Sequence, residues 1–338
     1  MENAKPRIEF IDLAKGICIL LVVLLHVFGD LSGTVIKIMN LFRMPLYFVL
    51  SGLFFKTYDS LGPFLKKKTN KLLIPFSFTF FCVIVPTTFL LNWKSGVNTT
   101  IENLLIGEMG KLNLGIDGAV WFLLCLFFVN VYFYLIFLVT RQRVVYIGVL
   151  SCVCGFVGYS LHQEGLYLPM WLDTSLTALP FFFMGYAMRK HSSVLQGSFV
   201  KKDYWGFAIS LFILVAVYWF DESEGKSTIS FGDNTFDISV ASLYLGGISG
   251  TYAVLMFAKR FKRLPVVSYI GRYSIVVLIT HLIYMFIIRN MLYQFHIPQD
   301  SILVNIGVFI IIVLLSLPTI KYGIKYLPYC FAQKDLWK

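Results

Sequence analysis

Apolar runs long enough to cross a bilayer recur from one end of the chain to the other, separated by short polar segments. At about 20 residues per helical span, they fall at 8–28, 35–55, 72–93, 119–139, 144–161, 167–188, 204–220, 239–258, 266–290 and 301–320. Ten such segments predict an all-α, polytopic transmembrane helix bundle, with residues 1–338 forming one integral-membrane domain. The polar segments alternate in charge. One set holds Lys5 and Arg7, the lysines from Lys56 to Lys71, Arg141 and Arg143, Arg189 to Lys202, Lys259 to Arg263, and Lys321 to Lys338; the other holds only Lys94, Lys111 and Lys226. The positive-inside rule then predicts that both termini are cytoplasmic.

The outer segments have a different character. Residues 94–118 contain Glu102, Glu108 and Asp117, and their apolar stretch IENLLIGEM reads as a short interfacial or re-entrant helix. Residues 221–237 are acidic and rich in Gly, Ser and Asn. Both are expected to wall a polar substrate site at the mouth of the bundle.

Composition excludes a soluble enzyme. Hydrophobic residues make up 58% of the chain and charged ones 14%, against roughly 45–50% and 25% in soluble domains. The mean hydropathy of +0.75 leaves no polar domain for a single anchor to tether. A net charge of +11 does not indicate nucleic acid, because the cations are dispersed among loops rather than gathered in a stripe or tail. Five of the six cysteines lie in apolar segments and Cys330 follows the last one, which predicts neither a disulfide framework nor a metal site. The first apolar segment carries charges and lacks a small-residue cleavage site, so it is expected to remain in the mature protein.

Within this apolar background, ionisable side chains inside spans are the candidates for chemistry. The first span carries Asp12, Lys15 and His26. From Lys15 to His26 the helix returns to within roughly 20° of the same face and rises about 16 Å, so one stripe joins a cytoplasmic cation to an imidazole nearer the outer surface. His26 is a candidate general base for an alcohol, or else a hydrogen-bonding partner between helices. Asp12 and Lys15 are also spaced to neutralise one another. Arg43, in Met44-Pro45-Leu46-Tyr47-Phe48 context, must face a cavity, a carboxylate or the interface. Lys67, Lys68 and Lys71 at a cytoplasmic helix start suit phosphates, or equally topology and anionic lipid. His281 lies near the face of Ser274, with Arg272 at the cytoplasmic entrance, and either assists catalysis or bonds another helix. Asp173 and Trp121 are candidates for acceptor binding, Trp121 alternatively for an aromatic belt.

Several ordered motifs give these residues a common setting. Asp12-Leu-Ala-Lys15-Gly16 ending at His26, Met44-Pro45-Leu46-Tyr47-Phe48 with Ser51-Gly52, and Lys67-Lys68-Thr-Asn-Lys71-Leu-Leu-Ile-Pro75 are followed by Trp121-Phe122-Leu123, Pro180-Phe-Phe-Phe-Met-Gly185-Tyr186 and Gly271-Arg-Tyr-Ser274 leading to His281. Together they resemble the acyltransferase 3 family of integral-membrane O-acyltransferases, with a fucose-acetylase-like flavour, over nearly the whole chain. The family's basic residue ahead of the first-helix histidine is often Arg, where this chain has Lys15; the position of Arg43 is often His.

The resemblance implies a multi-pass protein of the bacterial cytoplasmic membrane that moves an acyl group, commonly acetyl from acetyl-CoA, onto a hydroxyl of a cell-surface polysaccharide or lipid-linked sugar. No permanently bound cofactor is implied; acyl-CoA is the donor substrate, the glycan the acceptor, and membrane lipid the surroundings. The donor phosphates would rest at Lys67, Lys68 and Lys71, the pantetheine arm would run beside Lys15, and His26 would deprotonate the acceptor or form a transient acyl-histidine. The rival expectation is an exporter of polysaccharide or lipid-linked sugar with no acyl-transfer chemistry.

Overall fold

Helix follows helix along this chain because its apolar runs leave the backbone no partner but itself. The computed structural model describes residues 8–29, 33–94, 118–191, 199–226 and 228–337; the expected interfacial helix of the 94–118 segment lies outside them. The chain opens with α1 (Glu9–Phe28) and α2 (Thr34–Gly52). A long helix, α3, runs through Leu61–Lys68, Ile74–Thr79 and Val85–Lys94, interrupted by wider π turns at Thr69–Leu73 and Phe80–Ile84. Each π turn comes just before a proline, Pro75 or Pro86. The extra residue per turn accommodates a ring that would otherwise collide with the carbonyl four residues back.

Next come α4 (Trp121–Val139), α5 (Val144–Gln163), α6 (Leu172–His191) and α7 (Lys201–Ser223). A two-stranded hairpin, β1 (Ile229–Ser230) and β2 (Thr235–Phe236), precedes α8 (Val240–Phe261). The chain then forms α9 (Pro265–Arg272), α10 (Ser274–Gln294) and α11 (Ile302–Tyr326). The expected single span at 266–290 is thus broken at Tyr273, whose φ of −120° and ψ of 31° end one helix and start another.

Among the described residues nine helices are long and apolar enough to cross a membrane. α6 is a further 20-residue helix that falls outside this set by composition. Its Asp173, Thr174, Ser175 and Thr177 are all fully buried, which protein surroundings permit and lipid would not. Ser175 Oγ donates to Trp171 O at 2.7 Å and Cys125 O at 3.0 Å, so its hydroxyl is satisfied inside the bundle. α6 packs against α5, α2 and α4, while α1 packs against α9, α8, α2 and α10. Helices α5, α7 and α11 instead turn Val145, Val153, Phe212, Trp219, Leu303 and Leu314 outward, an apolar exterior suited to lipid.

The 221–237 segment departs from the loop that its polarity suggests. Asp221 belongs to α7, is buried, and accepts a 2.8 Å bond from Ser242. The hairpin that follows buries Ile229, Phe231, Phe236 and Ile238 in the bundle. Phe231 meets Phe48 of α2 and Phe181 of α6. At the turn, fully buried Asn234 has φ of 53°, a left-handed conformation that asparagine tolerates. Its Nδ2 donates to Gly158 O at 3.0 Å, and its Oδ1 accepts from Thr177 at 3.0 Å. Trp171 Nε1 fixes the Gly232 carbonyl at 2.6 Å. Among the described residues the segment is packed into the bundle by side-chain amides and aromatic rings.

Candidate active site

The site begins with how two pairs of helices touch. A Cβ placed on Gly16 would lie 2.0 Å from Val267 O, and one on Gly271 would lie 1.9 Å from Asp12 O, so α1 and α9 meet backbone to backbone. The same holds for α2 and α6: a Cβ on Gly52 would lie 2.0 Å from Phe182 O, and one on Gly185 2.0 Å from Val49 O. Small residues at helix crossings give this close approach in membrane bundles. The residues beside these glycines then face inward.

They enclose a cavity of about 770 Å³. From α1 comes Lys15, whose Nζ sits 4.1 Å from the centroid of Phe54. From α2 come Tyr47, Leu50 and Ser51, the three- and four-residue spacing of one helix face, with Phe54 from the turn that follows. The basic helix α3 gives Lys67, Lys68 and Lys71, while α4 adds Phe122, Leu123, Leu126 and Asn130. Ser274, Ile275 and Leu278 of α10 complete the wall together with Lys56 and Tyr58 from the loop after α2. Arg189 shapes that loop by donating to Leu53 O at 3.2 Å and Phe55 O at 3.0 Å, satisfying carbonyls at the end of α2.

His26 does not line this cavity; it is partly buried at the far end of α1. Its ring lies 5.3 Å, centroid to centroid, from that of His281. His281 is almost fully enclosed, at 1% exposure. Its Nδ1 faces Val277 O at 2.8 Å, which assigns the proton to that nitrogen and leaves Nε2 as an enclosed acceptor with no hydrogen-bond partner among the described residues. Leu278 in the cavity wall is one turn, about 4.5 Å, before His281 along α10. Arg43 lies close enough for its charge to act on His26, and its carbonyl accepts a 3.2 Å bond from Cys18 Sγ. Arg289 pins the C-terminal end of α1 by donating to Val27 O at 2.9 Å and to Asn305 Oδ1.

Other sequence candidates lie apart from this constellation. Asp12 is on the turn of α1 that contacts Gly271. Arg272 is exposed and sits over the Tyr273 ring, outside the cavity wall. Asp173 is fully buried, accepting from Thr174 N at 2.8 Å and Leu168 N at 3.4 Å at the start of α6. Trp121 packs on Trp171, 6.2 Å between centroids, beside Gly232 of the hairpin.

Two of the three expected phosphate lysines are engaged by the C-terminal segment. Lys67 Nζ donates to Asp335 Oδ2 at 2.5 Å, and Lys71 Nζ lies 3.0 Å from Asp335 Oδ1 and donates to Ala332 O at 2.6 Å. Between them, buried Asn70 clasps the chain end: its Oδ1 accepts from Leu336 N at 2.8 Å and Trp337 N at 3.0 Å, and its Nδ2 donates to Trp337 O at 2.9 Å. The Lys67 hydrogen bond holds the Asp335 carboxyl below its ordinary range, against a smaller opposing effect of desolvation. Lys56, Tyr58 and Asn130 are cavity residues that motif reading passed over. In the sequence Lys56 is one of several loop cations, and Tyr47 belongs to the Met44-Pro45-Leu46-Tyr47-Phe48 motif.

The fold is a helix bundle with a lysine-lined cavity and a pair of neighbouring histidines. No curated protein and no solved structure matches the chain. The model of a family described as an acyltransferase domain matches residues 8–321, and the chain belongs to this acyltransferase 3 family.

Proposed function

We propose that the protein is a membrane O-acyltransferase that moves an acetyl or other short acyl group from acyl-CoA to a hydroxyl of a cell-surface polysaccharide or lipid-linked sugar, as in the fucose-acetylase-like group. One observation carries this reading. The helix α1 has Lys15 on the wall of a cationic cavity at one end and His26 against His281 at the other. With both termini cytoplasmic, as loop charge favours, the donor enters at the lysines and the acceptor comes from the outer side.

In this reaction His26 takes the proton of the acceptor hydroxyl as its oxygen attacks the thioester carbonyl carbon. The carbon–sulfur bond then breaks, and the CoA thiolate takes the proton back from the imidazolium. His281 Nε2, with its proton held on Nδ1 by Val277, is a fixed acceptor that can orient an N–H of His26. Arg43 adds positive charge beside the carbonyl oxygen on which negative charge develops.

The test is incubation of purified protein with labelled acetyl-CoA and surface or lipid-linked glycan. Wild type should transfer label; His26→Ala should lose about 10³-fold or more in rate, while His281→Gln should retain folding and lose about tenfold or more. Full transfer by a folded His26→Ala protein would overturn the proposed base. Glycan movement across vesicles with no transfer by wild type would replace the reading with the exporter.

A further inference from the structure

The five lysines around the cavity are not equivalent, and the difference bears on where a donor's phosphates go. Lys67 and Lys71 share one carboxylate, Asp335, and Lys71 is held as well by Ala332 O. Three further bonds from Asn70 to Leu336 and Trp337 make this a fastened segment. These two cations therefore have an anion already, supplied by the chain. Lys15 stands deeper in the cavity, over the face of Phe54. Lys56 and Lys68 differ from all of these. Both line the cavity and lie close enough for the charge of one to act on the other. Neither has an acidic partner among the described residues. Among the described residues the ring of Phe64, 5.8 Å away, faces the Lys68 ammonium.

Two ammonium groups on the wall of one cavity repel each other, and the cost is larger where water is partly excluded. An anion between them removes that cost and gains two charge-assisted hydrogen bonds. Lys56 is exposed in the short loop between α2 and α3, and Lys68 is the last residue of the first α3 segment before the π turn. An unbroken α-helix already sets Lys67 and Lys71, four residues apart, within about 40° of one another and Lys68 about 60° from Lys71; the π turn widens the second angle, so that Lys71 lies with Lys67 at the C-terminal segment and Lys68 stays with Lys56 on the cavity wall.

Resting on the acyl-CoA reading above, we infer that Lys56 and Lys68 form the phosphate-binding pair of the donor site, and that Lys67 and Lys71 anchor the C-terminal segment instead. The ligand class is a phosphorylated thiol ester whose acyl arm extends past Lys15 toward Leu278. Lysine rather than arginine at both positions suits point-charge contact with a phosphate that has several orientations.

The experiment measures binding of CoA and of pantetheine, which lacks the phosphates, to the full-length purified protein and four variants. Lys56→Gln and Lys68→Gln should each weaken CoA binding about tenfold and leave pantetheine unchanged. The pair Lys67→Gln with Asp335→Asn removes an ion pair without changing local net charge, so CoA binding should stay within about threefold while protease cleaves the C-terminal segment faster. Asn70→Ala should behave in the same way as that pair. Unchanged CoA affinity in Lys56→Gln, or a tenfold loss in the charge-balanced pair, overturns the assignment while leaving the acyltransferase reading in place. A wild-type protein that binds neither CoA nor acetyl-CoA overturns both.

Discussion

Replacing Gly271 by Ala tests the seam on which the site is built. A methyl group there would lie 1.9 Å from Asp12 O, 2.4 Å from Gly16 N and 2.9 Å from Gly16 Cα, all of them backbone atoms that have no rotamer to change. Ordinary contact for a Cβ begins near 3.4 Å, so α9 must retreat from α1 by roughly 1 Å or more. Overpacking of this kind costs about 1–3 kcal/mol, and the retreat loosens the fully buried contacts of Ile270 and Ala14. The midpoint of a thermal melt in detergent should fall by about 1–4 °C. Gly16→Ala meets Val267 O at 2.0 Å across the same seam. One separation relieves both clashes, so the double variant should cost less than the two single ones added together. Gly307→Ala is the control: it lies inside α11 with nothing within 4 Å of its added methyl, and should gain about 0.5–1 kcal/mol. Because Asp12 and Lys15 ride on the displaced turn, Gly271→Ala should also raise KM for the donor. An unchanged melt for Gly271→Ala, or strict additivity with Gly16→Ala, would refute the backbone-contact argument.

Asn234→Ala removes both bonds that hold the hairpin turn and puts alanine at a positive φ; it should cost about 2–4 kcal/mol, seen as a lower melt and faster proteolysis within 228–238. Asp335 gives a pH dependence. Its carboxyl is held below the ordinary value of 3.8 first by Lys67, so its contribution to closing the C-terminal segment is fully present above about pH 4. That contribution is lost as pH falls through the lowered value. Quenching of Trp337 fluorescence, taken as the difference between wild type and Trp337→Phe, should stay low at pH 5 and rise only in stronger acid; in Asp335→Asn it should be raised at pH 7 and flat with pH. Rising exposure in wild type between pH 7 and 5 would contradict this.

The apolar runs made the helices legible, because the length of a span is fixed by the backbone's need for internal hydrogen bonds. What they could not show was where one run contains two helices. Residues 266–290 read as one segment, and the break at Tyr273 depends on α9 lying against α1 through Gly271, a contact with residues far away in sequence. The hairpin was hidden for a related reason. Its Gly, Ser, Asn and Asp give it the composition of an outer loop, while the burial of Phe231, Phe236 and Asn234 depends on partners in α2, α5 and α6. Helical periodicity put Lys15 and His26 on one stripe, but nothing in the spacing of His26 and His281 brings their rings to 5.3 Å. The lysine cluster read as one phosphate site because Asp335 is a long way off in the chain; tertiary structure divides it.

The motif dipeptides take on a physical meaning once the seams are known. In Lys15-Gly16 and Ser51-Gly52 a cavity-lining polar residue precedes a glycine pressed against another helix, α9 in one case and α6 in the other. Consecutive helical residues point about 100° apart, so locking the glycine face against its neighbour sets the rotation of the helix and with it the direction of the polar side chain. Gly271 and Ser274 repeat the arrangement across the break at Tyr273, with the glycine on the seam and the serine in the cavity wall. A larger residue at any of these glycines would leave the polar side chain in place chemically and still turn it away. The glycines thus position the site without touching a substrate, and a reading of the motifs that credits only their ionisable members misses how Lys15 comes to be aimed into the cavity that leads toward His281.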